Sequence, residues 1–202
     1  LFNPKSFIMK KISLVTAAIT ALFAIDANAQ ADNNDINTFS QALTVDVPTL
    51  AMLDIEDASG AEVSAITLDL TDVTKEAGVY EFESVETSPM WLNYTSVVAD
   101  GQLRNITVGF DQNANDFPSG VKLVLNQSTF TADNGTLGTA AGTIEVKPTD
   151  VSVPVITGIG SVYTGQGQKG LQFTYSLAED GNFADYKAGT YNSTLIYTIS
   201  GI

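Results

Sequence analysis

Apolar and polar residues alternate one for one in segment after segment of this chain. Leu43, Val45 and Val47 are separated by Thr44 and Asp46, and Ile66, Leu68 and Leu70 by Thr67 and Asp69. Ile106, Val108 and Phe110 follow the same rule, as do Val121, Leu123 and Leu125. A period of two is that of a strand with one face buried. It is clearest at Leu171, Phe173, Tyr175 and Leu177, and it returns in residues 191–199, where Tyr191, Leu195, Tyr197 and Ile199 share a side. Turn formers punctuate these runs at residues 57–60, 100–101, 118–120, 134–135, 165–170 and 180–182. About ten short strands at this spacing predict an all-β fold, an antiparallel β-sandwich of two sheets. Only residues 72–78 break the rhythm, and they fit a short helical turn.

The stretch ahead of the strands has a different character. Lys10 and Lys11 precede an apolar run over residues 12–25 that closes on Ala27-Asn28-Ala29, the pattern of a secretory signal peptide over residues 9–29. Residues 1–8 precede Met9 and read as upstream sequence. The mature chain is then expected to begin near Gln30 and to be exported, to the extracellular space, the cell surface or the periplasm. Residues 30–41 are polar and Asn/Asp-rich, which predicts a flexible N-terminal arm before a single domain over residues 42–202. After Ala29 no apolar run approaches the ~20 residues of a spanning helix, so no membrane insertion is expected. The short strands and an ending on Ile202 without a terminal aromatic also speak against a membrane barrel.

Composition narrows the chemistry. The chain has no histidine and no cysteine. This excludes Ser-His-Asp and Cys-His catalysis, histidine-ligated zinc and disulfide staples. Beyond Ala29 the bases are Lys75, Arg104, Lys122, Lys147, Lys169 and Lys187, six against 22 acids, a charge of −16. Such a surface repels nucleic acid and anionic membranes. Twelve of the acids lie between Asp46 and Asp100 against the single base Lys75, a distribution that fits solvated strand faces and loops.

Several runs resemble a known group. Met90-Trp91-Leu92-Asn93-Tyr94-Thr95-Ser96 and Arg104-Asn105-Ile106-Thr107 are similar to the paired strands of secreted proteins common in Bacteroidetes. Pro118-Ser119-Gly120-Val121-Lys122-Leu123 resembles their turn, and Ala188-Gly189-Thr190-Tyr191 with Tyr197-Thr198-Ile199 their closing strand. Closing strands of this form also occur in pilin-like and spore-coat-U-like sandwiches and in WxL domains. The resemblance implies an Ig-like or pilin-like sandwich at the cell surface, with assembly or adhesion as its role and no catalysis. Tyr197-Thr198-Ile199 stands where a second Trp-x-Leu would fall, so peptidoglycan binding is not carried over.

Candidate sites are few. Asp111, Asn113, Asn115 and Asp116 copy the start of a calcium loop, but the sixth position is Asp116 instead of Gly and the twelfth is Lys122 instead of Glu. An Asx-rich hairpin loop competes with calcium there. Trp91, Tyr94 and Tyr163 are candidates for an aromatic platform that stacks on glycans, with core packing as the rival role. Glu81, Glu83 and Glu86 could pair as glycosidase carboxylates only if one were buried, and the spacing of Glu81 and Glu83 puts both on one solvent face. The glycine-rich residues 164–170 lack the Gly-Lys-Ser/Thr ending of a phosphate loop and read as a hairpin tip. Five Asn-x-Ser/Thr sequons accompany the Asn/Thr-rich strands without implying modification. The sequence therefore predicts a non-enzymatic structural or adhesion protein, whose partners are other surface or matrix proteins, copies of itself, or glycans. The residues of its arm offer a strand to a neighbour's sheet edge.

Overall fold

The computed structural model describes residues 40–71, 73, 75–81 and 84–201. The expected signal peptide, most of the expected arm and Glu83 lie outside them. The chain divides into Leu1–Thr44 and Val45–Ile202, and every strand belongs to the second unit.

The fold is all-β, two antiparallel sheets packed as a sandwich. In chain order the strands are β1 (Leu50–Glu56), β2 (Lys75–Glu76), β3 (Val79–Tyr80), β4 (Met90–Val97), β5 (Arg104–Asn115), β6 (Val121–Thr131) and β7 (Asn134–Gly135). They continue with β8 (Thr139–Ala140), β9 (Ile144–Val146), β10 (Val153–Ile159), β11 (Val162–Tyr163), β12 (Gly170–Glu179) and β13 (Ser193–Gly201). The larger sheet runs β7-β11-β4-β12-β6-β9, with β1 on the other side of β4. The smaller sheet runs β13-β5-β10-β8, and β2 and β3 form a separate hairpin.

Alternation explains the core. Leu92 and Tyr94 of β4, Leu123 and Leu125 of β6, and Leu171, Phe173, Tyr175 and Leu177 of β12 point inward from the larger sheet. Ile106, Val108 and Phe110 of β5 meet them from the smaller one. A bulge between Pro154 and Ile156 lets the adjacent Val155 and Ile156 both reach the interior. The two layers are also joined by a hydrogen bond between the Tyr175 and Tyr197 hydroxyls, on β12 and β13. Burial pushes both phenols well above their ordinary pKa.

Four expectations change. Residues 43–47 form no strand, and Leu43, Val45 and Val47 are 85, 70 and 73 % exposed. In residues 66–70 Leu68 and Leu70 rest on the core without joining a ladder. Within the expected helical turn of residues 72–78, Lys75–Glu76 form β2 and Ala77 and Gly78 the turn of a hairpin, with Gly78 supplying the left-handed corner at φ +92°. Asn134–Gly135 is a strand and not a turn; a Cβ on Gly135 would lie 2.3 Å from the Ser161 carbonyl oxygen, so glycine is what permits this close pairing with β11.

Candidate functional site

The sheet edges differ sharply in how they are finished. Three of them end in strands too short to template another chain: β7 and β8 have 2 residues each and β9 has 3. The other two are long. β1 has 7 residues, and its open side is met by Glu62 and Val63 only at Glu56 and Ile55. β13 has 9 residues and pairs with β5 alone, so its outer side has no partner among the described residues.

β13 also lacks most of the devices that blunt an edge, the one bulge in its ladder lying at the Thr194 end. Its sequence, STLIYTISG, contains neither charge nor proline, and Ile196 is 47 % exposed on the outer face. On the inner face Leu195, Tyr197 and Ile199 touch the core yet stay half-buried, whereas Ile106 and Val108 on neighbouring β5 are 0 % exposed. β1 shows the same gradient: Leu53 and Ile55 are half-buried beside the fully buried Leu92. β1 and β13 approach each other at this side of the sandwich, and the inner faces of both stay half-buried.

A second constructed region lies on the outer face of the larger sheet. The Glu56 carboxylate accepts hydrogen bonds from Asn93 Nδ2 at 2.7 Å and from the Gly167 amide at 2.6 Å, and Asn93 Nδ2 also donates to the Gly167 carbonyl at 3.0 Å. Thr164 Oγ1 accepts from the Tyr94 amide at 3.0 Å. Gln168 donates to the Ala58 carbonyl at 3.0 Å. These bonds hold the glycine-rich loop, residues 164–170, down on the sheet. Gly170 enters β12 at φ +67°, where a Cβ would come within 2.1 Å of the Leu92 carbonyl oxygen.

The residues singled out from the sequence do not converge. Tyr94 is 3 % exposed in the core, its hydroxyl donating to the Leu137 carbonyl, and Trp91 is 7 % exposed on the opposite face of the same strand. Neither ring offers a face for sugar, which corrects that part of the expected platform. Only Tyr163, 51 % exposed, presents a ring to solvent. Asp111, Asn113 and Asn115 spend side-chain atoms on one another and on nearby backbone. Between the pairs Leu195↔Phe110 and Ser193↔Asn115, residues 111–114 bulge out opposite Thr194. There Asp111 caps the Asn113 amide at 3.0 Å, while Asn115 donates to the Pro148 carbonyl at 2.7 Å and accepts from the Phe117 amide at 3.2 Å. The Asx-rich run is thus a self-bonded bulge. Among the described residues no three acids lie close enough to hold a metal. Glu81 is exposed, and Glu86 accepts from Asn126 at 3.0 Å on the surface.

Composition anticipated none of the open edges, since pairing partners are not written locally. The one local signal was the uncharged run of β13 itself. Among the described residues no helix is long and apolar enough to cross a membrane. No family model, curated protein or solved structure matches the chain.

Proposed function

We propose that this is an exported, non-catalytic structural or adhesion protein, pilin-like in that copies join by adding a strand to an open sheet edge. The observation that carries the reading is β13: long, uncharged, unpaired on one side, and only half-buried on its inner face. Such an edge is a template for main-chain hydrogen bonds with another chain. The strand it would take is at hand in a second copy. Leu43, Val45 and Val47 alternate with polar residues, are strongly exposed, and make no ladder of their own. The donor in this reading lies slightly beyond the expected arm of residues 30–41. Paired to β13, Leu43, Val45 and Val47 would lie on one face and cover Leu195, Tyr197 and Ile199. An Ig-like arrangement at the cell surface, with matrix proteins as further partners, belongs to the same reading.

The test is light scattering coupled to size exclusion over a range of concentrations. The mature chain is expected to form oligomers, and a chain beginning at Thr49 to remain monomeric. Ile196→Lys, which puts a charge on the exposed edge, should abolish assembly while leaving the melting temperature near that of the parent. A mature chain that stays monomeric throughout would refute the proposal, as would assembly unaffected by either change.

A further inference from the structure

We infer that the outer face of the larger sheet around Tyr163 binds a short neutral oligosaccharide, a function beyond strand-mediated assembly and independent of it. Tyr163 on β11 stands opposite Asn134 on β7 and opposite Thr95 on β4, and Thr95 stands opposite Met52 on β1. Directly opposed residues share a face, so one row of side chains crosses four strands. At a strand spacing of ~4.8 Å the row is ~14 Å long, the length of a short chain of sugar rings and not of a single one. Tyr163 and Met52 are 51 and 60 % exposed.

Two hollows flank the row. One, of about 250 Å³, is bordered by Thr95, Asn134 and Tyr163; the other, of about 190 Å³, by Met52, Asp54, Thr95 and Gln166. Thr95 walls both, so the two hollows lie side by side along the row. Each is smaller than the ~300–1,000 Å³ of a site enclosing a drug-sized ligand, and their succession suits a ligand of repeated small units.

The chemistry along the row is that of sugar recognition. The face of the Tyr163 ring is electron-rich and attracts the polarised C–H groups on one side of a pyranose. Around it, the side chains of Thr95, Asn134 and Gln166 make no hydrogen bond to the described residues, which leaves a hydroxyl and two amides free to donate and accept. One Asp54 oxygen takes the Ile55 amide at 2.8 Å, and the other can accept from a sugar hydroxyl. No Lys or Arg borders either hollow, whereas Asp54 and Glu56 both border the second. Charge thus selects a neutral glycan over a sulfated, phosphorylated or uronate-bearing one. A protein partner fits less well, because the row lacks the buried cluster of apolar anchors that such interfaces centre on. The floor is held in place: Trp91 and Asn93 of β4 are buried beside the row, and the Glu56 bonds pin the loop that carries Gln166. Little ordering cost would accompany binding.

The experiment is a titration of the isotope-labelled, full-length mature protein with neutral gluco-, xylo-, manno- and galacto-oligosaccharides to millimolar concentration, followed by amide NMR. Shifts are expected to cluster at residues 52, 95, 134 and 163 for at least one of these series. Tyr163→Ala should weaken that binding tenfold or more with the melting temperature unchanged, and Tyr163→Phe should retain it. Gln166→Ala, in the pinned loop, supplies a second variant and should weaken binding several-fold. A uronate oligosaccharide of the same length should bind more weakly, with the gap closing as salt rises. Absence of shifts with every neutral series overturns the inference. So do shifts confined elsewhere, affinity indifferent to Tyr163→Ala and Gln166→Ala, or row shifts that follow protein concentration without sugar, which would mark a self-association surface.

Discussion

The hydrogen bond between Tyr175 and Tyr197 provides a sharp test of how the two layers are joined. Tyr175 is 3 % exposed, and its hydroxyl meets that of Tyr197 across the sandwich. Tyr197→Phe keeps the ring but leaves the Tyr175 hydroxyl dry and unpartnered, a penalty of ~1–3 kcal/mol. Tyr175→Phe strands the Tyr197 hydroxyl in the same way. Replacing both removes donor and acceptor together, and the pair of phenylalanines should then cost at most ~1 kcal/mol, since matched apolar replacements are close to neutral. The double-mutant cycle should therefore show a coupling of at least ~1 kcal/mol. For a domain of this size each kcal/mol moves the melting temperature by about 2–4 °C, so the two single variants should melt visibly below the parent and the double variant close to it. Calorimetry and urea unfolding of all four proteins measure this directly. A double variant destabilised by the sum of the two singles would show that each hydroxyl is satisfied independently and that the bond contributes no link.

Three other outcomes are expected. Because burial raises the pKa of Tyr94, Tyr175 and Tyr197, their protonated forms favour the folded state; that contribution is complete below about pH 10, the ordinary phenol value, and is lost as pH climbs toward the raised folded values. The tyrosinate absorbance of these buried residues should accordingly rise together with unfolding, and Tyr175→Phe together with Tyr197→Phe should move that step to higher pH. Hydrogen bonds from the Ser59 side chain and from the amides of Ala61 and Ser59 hold the Asp57 carboxyl below its ordinary value; its stabilisation is present above about pH 4 and lost as pH falls through the lower folded value, so Asp57→Asn should flatten the acid limb of a melting-temperature profile. Gly170→Ala must abandon φ +67° and push the Leu92 carbonyl away from a Cβ 2.1 Å distant, which should cost more than the ~1–3 kcal/mol of a strained backbone alone and should increase amide exchange in residues 164–169.

Much of the sandwich was legible because alternation reports burial. The segments holding Ile106, Val121, Leu171 and Leu195 became β5, β6, β12 and β13, and the alternating apolar residues read from the sequence face the core. Alternation does not report pairing. Leu68 and Leu70 are half-buried against the core with no ladder, and Val45 and Val47 alternate in solvent. Nor does it settle which side is inner when both are covered: in β4 Met90, Leu92 and Tyr94 face the core, and Trp91 and Asn93 are buried on the reverse. The row through Tyr163 escaped notice for a related reason. Asn134, Thr95 and Met52 lie far from Tyr163 in the chain and meet it only through three separate registers. Asn134-Gly135 read as a turn because that dipeptide favours positive φ, and Gly135 does adopt φ +109°, here inside a strand.

The placing of β1 governs how tension would travel through the domain. The strand follows directly after the segment containing Val45 and Val47, runs antiparallel to β4 through seven register pairs from Leu50↔Val97 to Glu56↔Trp91, and is bolted at its far end by the Glu56 carboxylate to Asn93 and Gly167. A tug entering near residue 49 along the strand axis loads that whole ladder in shear, so its bonds must yield together; a tug across the sheet would peel them singly. In a protein without a single disulfide, mechanical endurance then rests on the direction of pull.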